Sequence, residues 1–328
     1  MRAIRYFRHG PAREVLELVE EPDPAPGPGE VRVALAASGV NPHDVKKRSG
    51  WLGAPPPPGG VTPHSDGAGV IDALGPGVPE ARLGERVFVL RAPATRGTAA
   101  EKVVVGEGWA IPLPGALSFE EGACLGVPAF TAWLAVLADG PVTGDTVLIH
   151  GGGGAVGRVA VELAAWNGAR VVATAGSQRG RETARAKGAH RVLDRHADDV
   201  AAAVLELTGG HGAARIVDVD FAANQAADIA ALAPHGVLAA YSSTSDKHPA
   251  LDYYGFALKA ARLTFIQGGR LTPAQRDAAA KTILALAGLG RLRPDIAAVV
   301  PLAEAAAAHE AVEAGAPANV VLRIAGAP

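Results

Sequence analysis

The stretch Asp145–Arg158, DTVLIHGGGGAVGR, decides the fold of this 328-residue chain. It opens with a short apolar run, Thr146–His150, of the kind that forms a fully buried parallel strand. Four consecutive glycines follow, and an apolar helical pattern begins at Ala155. Glycines let the backbone turn tightly, approach a pyrophosphate and pack a helix closely on a strand. The first turn of a helix also offers unpaired N–H groups and a positive dipole end to an anion.

The spacing of these glycines matches two dinucleotide-binding patterns. Gly152, Gly154 and Gly157 satisfy G-x-G-x-x-G, while Gly151, Gly154 and Gly157 satisfy G-x-x-G-x-x-G. A glycine pattern alone is weak evidence in a chain with 41 glycines, but its place between a strand and a helix is the context that such a site requires. The sequence therefore predicts a dinucleotide-binding turn, formed by Gly152, Gly153, Gly154, Ala155, Val156 and Gly157.

The composition restricts the class of protein. The length allows two domains with separate cores. The net charge of −2 lacks the excess of basic residues that is typical of proteins that bind nucleic acid or an anionic membrane. One cysteine, Cys124, excludes an internal disulfide and any multi-cysteine metal site. The N-terminal MRAIRYFRHG has no apolar segment of the secretory kind, and no run of about 18 apolar residues exists. We expect a cytoplasmic protein with no nucleic-acid or membrane partner.

Residues 1–118 read as short strands separated by turns. Predicted strands are Arg2–Tyr6, Val31–Ala37, Gly69–Ala73, Arg86–Leu90 and Lys102–Val105, and only Pro42–Ser49 looks helical. PDPAPGPGE at 22–30 and APPPPGG at 54–60 cannot form regular structure; the second is either a lid over a substrate or a rigid surface spacer. Ser118–Glu121 predicts a capped helix start.

From Thr146 onward, strands and helices alternate without a break. The predicted strands are Thr146–His150, Arg170–Ala175, Arg191–Leu193, Ile216–Val219, Gly236–Tyr241 and Leu263–Gly268, with helices at about 155–167, 178–187, 197–208, 224–233 and 253–261. Six strands joined by such crossovers give a doubly wound parallel sheet. In the tail, Ala274–Leu286 and Ala303–Ala314 read as helices, and Asn319–Ile324 as a strand that rejoins the first domain.

The residues after the second predicted strand favour NADP(H) over NAD(H). An NAD-specific fold places a carboxylate about 20 residues beyond the glycines, but that position here falls on Thr174–Ser177. Arg179 and Arg181 follow, and their guanidinium groups are suited to a 2′-phosphate. The alternative is an arginine-rich helix face exposed to solvent.

Several further motifs occur in order along the chain. They are GVNPHDVKKRSG at 39–50, SDGAGVIDALGPGV at 65–78, GERV at 84–87, GACLGVPAFTAW at 122–133, AKGAHRVLD at 186–194 and AHEAV at 308–312. With the glycine turn, they make the whole chain resemble the zinc-independent, zeta-crystallin-like quinone oxidoreductases of the medium-chain dehydrogenase/reductase family.

The resemblance implies an α/β protein of two domains. A GroES-like, mainly-β catalytic domain would comprise 1–120 and 269–328, and a Rossmann NADP(H)-binding domain with a doubly wound six-stranded parallel sheet would comprise 121–268. Many relatives are homodimers, so we expect a homodimer.

The resemblance also bears on zinc. Zinc alcohol dehydrogenases of this family carry Cys, His and Cys at three catalytic positions, which correspond here to Asn41, Ser65 and Val127. The four-cysteine structural zinc loop is absent from the sequence, and His43 and His64 read as loop histidines rather than ligands. We expect no metal.

Further cofactor contacts follow from the resemblance. Thr131 would lie by the nicotinamide, although simple packing in a helix is the alternative, and Gly153–Val156 would cradle the pyrophosphate. Residues at strand ends complete the set, because ligands bind there in open parallel sheets. The remaining expected contacts are Gly176, Ser177, Arg179, Arg181, Arg195, Asn224, Tyr241, Ser242, Ser243, Gln267, Gly268 and Gly269. His150 is expected to bond backbone, and Cys124 to be buried.

Two residues are candidates for the chemistry. Asn41 occupies the vacated metal position and is a candidate donor to a developing oxyanion, or else a turn residue before Pro42. Lys46 stands where relatives often carry a tyrosine; it contacts the cofactor or substrate, or is simply solvated. Asp44 reads as a structural anchor or helix cap.

Without a Lewis acid, a quinone or related activated, electron-poor acceptor is the expected small-molecule partner for direct hydride transfer from NADPH. One alternative is an enoyl-thioester or 2-alkenal reductase. The other is an NADPH-binding protein without catalysis.

Overall fold

The computed structural model describes residues 1–51 and 53–324. The chain divides into two compact units, Met1–Val127 with Ala280–Pro328, and Pro128–Ala279. Both boundaries fall within helices, Gly126–Leu137 and Pro273–Gly288, and lie further along the chain than the boundaries expected from sequence. No helix of the described residues is long and apolar enough to cross a bilayer.

The N-terminal part of the first unit is mainly β. Its strands are β1 (Arg2–Arg5), β2 (Glu17–Glu20), β3 (Glu30–Val40), β4 (Asp66–Leu74), β5 (Arg86–Val89), β6 (Lys102–Gly106) and β7 (Ala110–Pro112). Three short helices accompany them: α1 (Ala12–Val15), α2 (Pro42–Arg48) and α3 (Phe119–Gly122). Ser118 caps α3 as predicted, because its Oγ accepts the Glu121 N–H at 3.1 Å. The sequence missed α1, β2 and β7, which are only three or four residues long.

The second unit alternates helix and strand. The helices are α4 (Gly126–Leu137), which begins in the first unit, α5 (Ala155–Trp166), α6 (Gln178–Ala186), α7 (Val200–Leu207), α8 (Phe221–Ala231) and α9 (Tyr253–Ala257). The strands are β8 (Thr146–Ile149), β9 (Arg170–Ala175), β10 (Arg191–Asp194), β11 (Ala213–Asp218), β12 (Leu232–Ala240) and β13 (Arg262–Phe265).

These six strands form one parallel sheet in the order β10-β9-β8-β11-β12-β13. The order reverses beside β8, as in a doubly wound dinucleotide-binding fold, so the predicted fold class is confirmed. Leu148 of β8 is fully buried and pairs with Val172 on one side and Ile216 on the other. The apolar run at 146–149 therefore forms a central strand covered on both faces.

The tail returns to the first unit. It comprises α10 (Pro273–Gly288), which begins in the second unit, β14 (Ile296–Pro301), α11 (Ala305–Glu313) and β15 (Asn319–Arg323). The seven-stranded sheet of this unit has the order β14-β15-β3-β4-β5-β7, with β6 also paired to β3. β15 pairs antiparallel with β3, so the predicted return of the last strand is confirmed. Alternate residues of β3, namely Val31, Val33 and Leu35, are buried in the core of the sheet.

Candidate active site

The glycine turn has the backbone geometry that the sequence predicts. β8 ends at Ile149, and α5 begins at Ala155 with Gly154 as N-cap. Gly151 has a φ of +69°, a conformation that favours glycine. The Gly152 N–H donates to the Thr174 carbonyl at 2.8 Å, and the Gly154 N–H to the Gly151 carbonyl at 2.9 Å.

Two glycines of the turn leave no room for a side chain. A Cβ on Gly153 would lie 2.5 Å from the Cα of Gly180, and one on Gly157 would lie 2.0 Å from the Gly151 carbonyl oxygen. The turn that follows β8 therefore packs directly against the start of α6. The first N–H groups of α5 have no acceptor in their own helix and point toward the turn. This cradle fits a pyrophosphate, because an anion there meets backbone donors at close approach.

The start of α6 gathers the residues predicted to hold a 2′-phosphate. Ser177 is the N-cap, and its Oγ accepts the Gly180 N–H at 3.1 Å. Arg195 lies over Gly176, since a Cβ on that glycine would be 2.6 Å from the Arg195 Nε. Gly176, Ser177, Arg179 and Arg195 are all exposed, so their polar groups face solvent on one side of the sheet edge.

Arg181 has an acidic partner that no local pattern in the sequence predicts. Its Nη1 is 2.7 Å from Asp194 Oδ2 at the end of β10. A backbone hydrogen bond from His196 and the Arg181 charge together hold the pKa of Asp194 below its usual range. This acid follows the third predicted strand rather than the second, which is why a search at the usual NAD position passes over it.

The expectation that His150 bonds backbone is wrong. Its Nε2 is 2.8 Å from Asp228 Oδ1 on α8, and its Nδ1 is 3.3 Å from the Thr174 hydroxyl on β9. The ring is buried, and side chains from two other elements satisfy it instead. No spacing in the sequence links position 150 to position 228, so this contact had no local signal.

Asn224 lies in the first turn of α8, after β11 as expected, and its amide is hydrogen-bonded within the protein. The Nδ2 donates to Asp218 Oδ1 at 2.7 Å, and the Asp220 N–H donates to the same oxygen at 2.9 Å. Burial and the nearby Asp228 charge raise the pKa of Asp218 to about 6. The amide oxygen of Asn224 is thereby oriented by Asp218.

The remaining predicted contacts follow the last two strands or lie on α4. The Tyr241 N–H donates to the Asp218 carbonyl, and Ser243 Oγ donates to the Asp246 carbonyl at 2.6 Å, so this loop is internally bonded. β13 ends at Phe265, so the residues 267–269 lie in a loop rather than on the strand, where Gln267 Oε1 accepts from Arg270. Thr131 is buried on α4.

In the first unit, one carboxyl group joins two of the three vacated metal positions. Asp66 Oδ2 accepts the Asn41 Nδ2–H and the Val127 backbone N–H, each at 2.8 Å. Burial raises the pKa of Asp66 to about 8, against the two hydrogen bonds that lower it. The other oxygen, Oδ1, is buried without a hydrogen-bond partner. Asp66 belongs to the motif at 65–78, but no local pattern in the sequence predicts its bonds to Asn41 and Val127.

These residues do not fit zinc. An amide, the hydroxyl of Ser65 and an apolar valine stand at the three ligand positions, and the amide is bonded to Asp66. Across 1–51 and 53–324, no group of three or more His, Cys, Asp and Glu side chains is arranged to hold a metal ion.

The two nearby histidines differ in their surroundings. His64, in the loop before β4, is buried between Ser38 Oγ at 2.8 Å and His309 Nε2 at 2.9 Å. His43 lies in the first turn of α2, and burial with the neighbouring lysines lowers its pKa to about 4.

The loop that carries Asn41 is hydrogen-bonded to α2, the helix that follows it. Asp44 Oδ2 accepts the Asn41 N–H at 2.9 Å, which confirms the interpretation of Asp44 as a helix cap.

The Lys46 ammonium lies 4.7 Å from the centre of the Trp51 ring, a cation–π contact. Cys124 is buried, as expected.

Comparison with known proteins agrees with this architecture. Residues 27–115 match the family model of the alcohol dehydrogenase GroES-like domain, and residues 155–284 match that of the zinc-binding dehydrogenases. The quinone oxidoreductase of Sus scrofa is 32% identical over 314 residues, which cover 94% of this chain and 93% of that protein. The 2-haloacrylate reductase of a Burkholderia species is 29% identical over 326 residues, covering 94% of each. A mycobacterial protein solved in complex with NADPH is 29% identical with a TM-score of 0.88, covering 98% of this chain and 100% of that one.

The fold of the two units and the glycine turn of the second define the class of a dinucleotide-binding dehydrogenase, with Asn41, Ser65 and Val127 at the three zinc-ligand positions. The chain belongs to the zinc-independent quinone oxidoreductases of the medium-chain dehydrogenase/reductase family, and it is an oxidoreductase. The predicted family is therefore confirmed.

Proposed function

We propose that this NADP(H)-dependent oxidoreductase transfers hydride from NADPH to a quinone or a similarly electron-poor acceptor without a metal ion. The observation that carries the proposal is the replacement of a zinc ligand set by Asn41, Ser65 and Val127, with Asp66 bonded to the first and last. An ordinary ketone needs a Lewis acid to stabilise the alkoxide that forms, whereas a quinone delocalises the charge of its own product.

The nucleotide would be held along the carboxyl edge of the parallel sheet. We assign the pyrophosphate to Gly152–Gly157 and the 2′-phosphate to Ser177, Arg179, Arg181 and Arg195. The exposed guanidinium of Arg195 over Gly176 supports this, because a phosphate entering there meets a fork of donors. Arg181 Nη1 donates to Asp194, and the guanidinium has further N–H groups that can donate to a phosphate.

The nicotinamide and ribose contacts are proposed for the loops that follow the strands. We assign them to Thr131 and Asn224 and to the segments 241–243 and 267–269. The support for Asn224 is the Asp218 hydrogen bond, which fixes the amide plane and leaves its oxygen as an acceptor for a ribose hydroxyl.

Asn41 is the proposed donor to the oxygen of the acceptor. When bound, NADPH supplies the hydride to an acceptor that is already electron-poor. One Nδ2 hydrogen of Asn41 is bound to Asp66, and this bond orients the second hydrogen. A neutral donor held in place stabilises a developing oxyanion without reorganisation. We propose that Lys46 adds positive charge nearby, from its position over Trp51.

An acceptor screen tests the function. We expect turnover of 1,4-benzoquinone with NADPH to exceed that with NADH, to persist after treatment with a strong chelator, and to occur in protein without stoichiometric zinc by elemental analysis. Loss of turnover on chelation, with recovery on adding zinc, would contradict the proposal.

A second acceptor class has support of its own. The relative from Burkholderia is a reductase of 2-haloacrylate, an activated alkene rather than a quinone. Comparing kcat/KM for 1,4-benzoquinone, 2-chloroacrylate, an alkenal and crotonyl-CoA identifies the preferred class. If an alkene exceeds the quinone by about tenfold or more, alkene reduction is the better assignment.

We also propose that two copies associate through the edge of the second unit. β13 is the terminal strand of its sheet, and an exposed apolar surface surrounds it, formed by Leu251, Tyr253, Tyr254, Leu258 and Phe265. Such an edge pairs with its own copy about a two-fold axis, which hides both the backbone groups and the apolar side chains. We place the enzyme in the cytoplasm, where its single buried cysteine fits a reducing environment.

A further inference from the structure

Three polar side chains of the second unit form a buried hydrogen-bonded chain that ends on the glycine turn. His150 follows β8, Thr174 lies on β9 and Asp228 lies on α8. The imidazole connects Asp228 Oδ1, at 2.8 Å, to Thr174 Oγ1, at 3.3 Å. The same hydroxyl oxygen accepts the Gly151 backbone N–H at 3.3 Å. The chain thus runs from Asp228 through His150 and Thr174 to Gly151.

The protonation of His150 follows from its surroundings. Burial alone would lower its pKa, but the hydrogen bond and charge of Asp228, with the charge of Asp218, raise it above the ordinary value. Asp228 on α8 and Asp218 on β11 are the titratable groups that act on the ring. When the imidazole is charged it donates from both nitrogens, and the Thr174 oxygen then accepts from His150 and from Gly151 together.

Stability alone does not explain a buried polar chain at this place. His150 is 4% exposed and Asp228 is completely buried, and a buried ion pair is often no better for stability than apolar residues of the same volume. The neighbouring β8 residues Val147, Leu148 and Ile149 are all apolar and fully buried. A polar chain at this place therefore points to a task other than filling the core.

That task concerns the conformation of the turn. Thr174 accepts hydrogen bonds from two successive residues of the turn: its hydroxyl oxygen accepts the Gly151 N–H, and its carbonyl oxygen accepts the Gly152 N–H at 2.8 Å. Gly151 has the positive φ on which the turn depends, and its carbonyl in turn accepts the Gly154 N–H. The geometry of the α5 N-terminus is thus linked to one threonine, and through it to His150 and Asp228.

We propose that Asp228 and His150 are positioning residues for the dinucleotide, which act through Thr174 to hold the glycine turn in its binding conformation before the nucleotide arrives. Neither residue touches the nucleotide. A turn that is already ordered costs less conformational entropy when it closes on the pyrophosphate. This inference rests on the proposed function, since it assumes NADPH on that turn.

The test compares nucleotides that do and do not contain a pyrophosphate. In Asp228→Asn, which is nearly isosteric, we expect the Kd for NADPH to rise about tenfold, the size of effect expected when one buried hydrogen bond is lost. Thr174→Val, which removes the hydroxyl, should do the same, and the double variant should lose less than the product of the two effects, because the residues act in one chain. Binding of adenosine 2′-monophosphate, which lacks the pyrophosphate, should stay within about twofold of wild type. Asp277→Asn, an exposed acid of the same unit, is the matched control.

A pH profile separates positioning from a merely structural role. We expect the Kd of the wild type for NADPH to rise as the pH increases through the pKa of His150, because the imidazole then loses one donor. In Asp228→Asn this rise should move to lower pH, since the charge that raises the pKa is gone.

The outcomes are distinct. NADPH binding by Asp228→Asn and Thr174→Val within about twofold of wild type would overturn the inference. So would an equal loss of adenosine 2′-monophosphate binding, or an unchanged pH profile. Should Asp228→Asn fail to fold, Thr174→Val carries the test. If the wild type itself does not bind NADPH, the proposed function fails rather than this inference.

Discussion

Replacement of Asp66 by asparagine should remove a pH dependence of stability from the first unit. The pKa of Asp66 is raised to about 8, mainly by burial, against an ordinary value of about 3.9 for an unfolded chain. Between these values the native state binds a proton that the unfolded state does not, so the free energy of unfolding falls as the pH rises. The slope for one such group is about 1.4 kcal/mol per pH unit, or about 3 kcal/mol between pH 5 and pH 7.

Asparagine imitates the protonated acid. Its amide oxygen can accept from Asn41 Nδ2 and Val127 N, as Asp66 Oδ2 does, and its NH2 group takes the place of a protonated Oδ1 beside Gly126. Asp66→Asn should therefore match the wild type in stability at pH 5 and exceed it by about 3 kcal/mol at pH 7, because the variant has no proton to lose.

Urea unfolding at pH 5, 6 and 7 measures the difference. Asp23→Asn is the matched control: a hydrogen bond from Lys102 holds the pKa of this exposed acid below its usual range, so its titration is complete below pH 5. Parallel stability profiles for Asp66→Asn and the wild type would show that Asp66 is charged in the folded protein, which contradicts a neutral carboxyl between Asn41 and Val127.

Three further outcomes follow from the geometry. Gly153→Ala should destabilise the second unit by about 1–3 kcal/mol and weaken NADPH binding at least tenfold, because the new Cβ lies 2.5 Å from the Gly180 Cα; Gly154→Ala, with its nearest atom at 3.3 Å, should cost far less in the same titration. Arg195→Glu should raise the KM for NADPH by about tenfold or more and leave that for NADH nearly unchanged, since a repelling charge replaces the guanidinium that we propose for the 2′-phosphate; equal effects on both would remove Arg195 from the proposed phosphate site. Phe265→Arg should break the proposed dimer, so light scattering should give the mass of a monomer, and kcat/KM for soluble acceptors would be measured alongside. An unchanged mass would place the interface elsewhere.

The sheet of the second unit was predictable because its signals are local. An apolar run, a glycine turn and a helix with an apolar stripe follow one another within Asp145–Trp166, and each can be recognised from neighbouring residues alone. Element ends depend on single residues instead. α7 begins at Val200 rather than 197 because Asp199 accepts the Ala202 N–H, and α8 ends at Ala231 because Leu232 is already extended.

In the candidate site, the sequence could predict the backbone geometry of the glycine turn and the exposure of Arg179 and Arg195, but not the contacts among the buried polar side chains. The side chains that set the geometry meet across long sequence separations: Asn41 with Asp66, His150 with Asp228, and His64 with His309. Nothing in a local pattern specifies which buried acid faces which donor, because that depends on strand order and helix rotation. An aspartate in a strand motif such as SDGAG therefore gave no hint of its partner.

Asp66 also explains how this loop keeps its shape without an ion. In a zinc site the metal joins ligands from separate segments, and its loss leaves those segments without a common centre. Here the Asp66 carboxyl is that centre, since one oxygen binds the side chain of Asn41 and the backbone of Val127. A neutral carboxyl can orient an amide, but it supplies no positive charge to an acceptor oxygen. If the proposed function is right, Asp66→Ala, which releases Asn41, should lower kcat for a quinone more than it raises KM, because the amide would lose the bond that orients it.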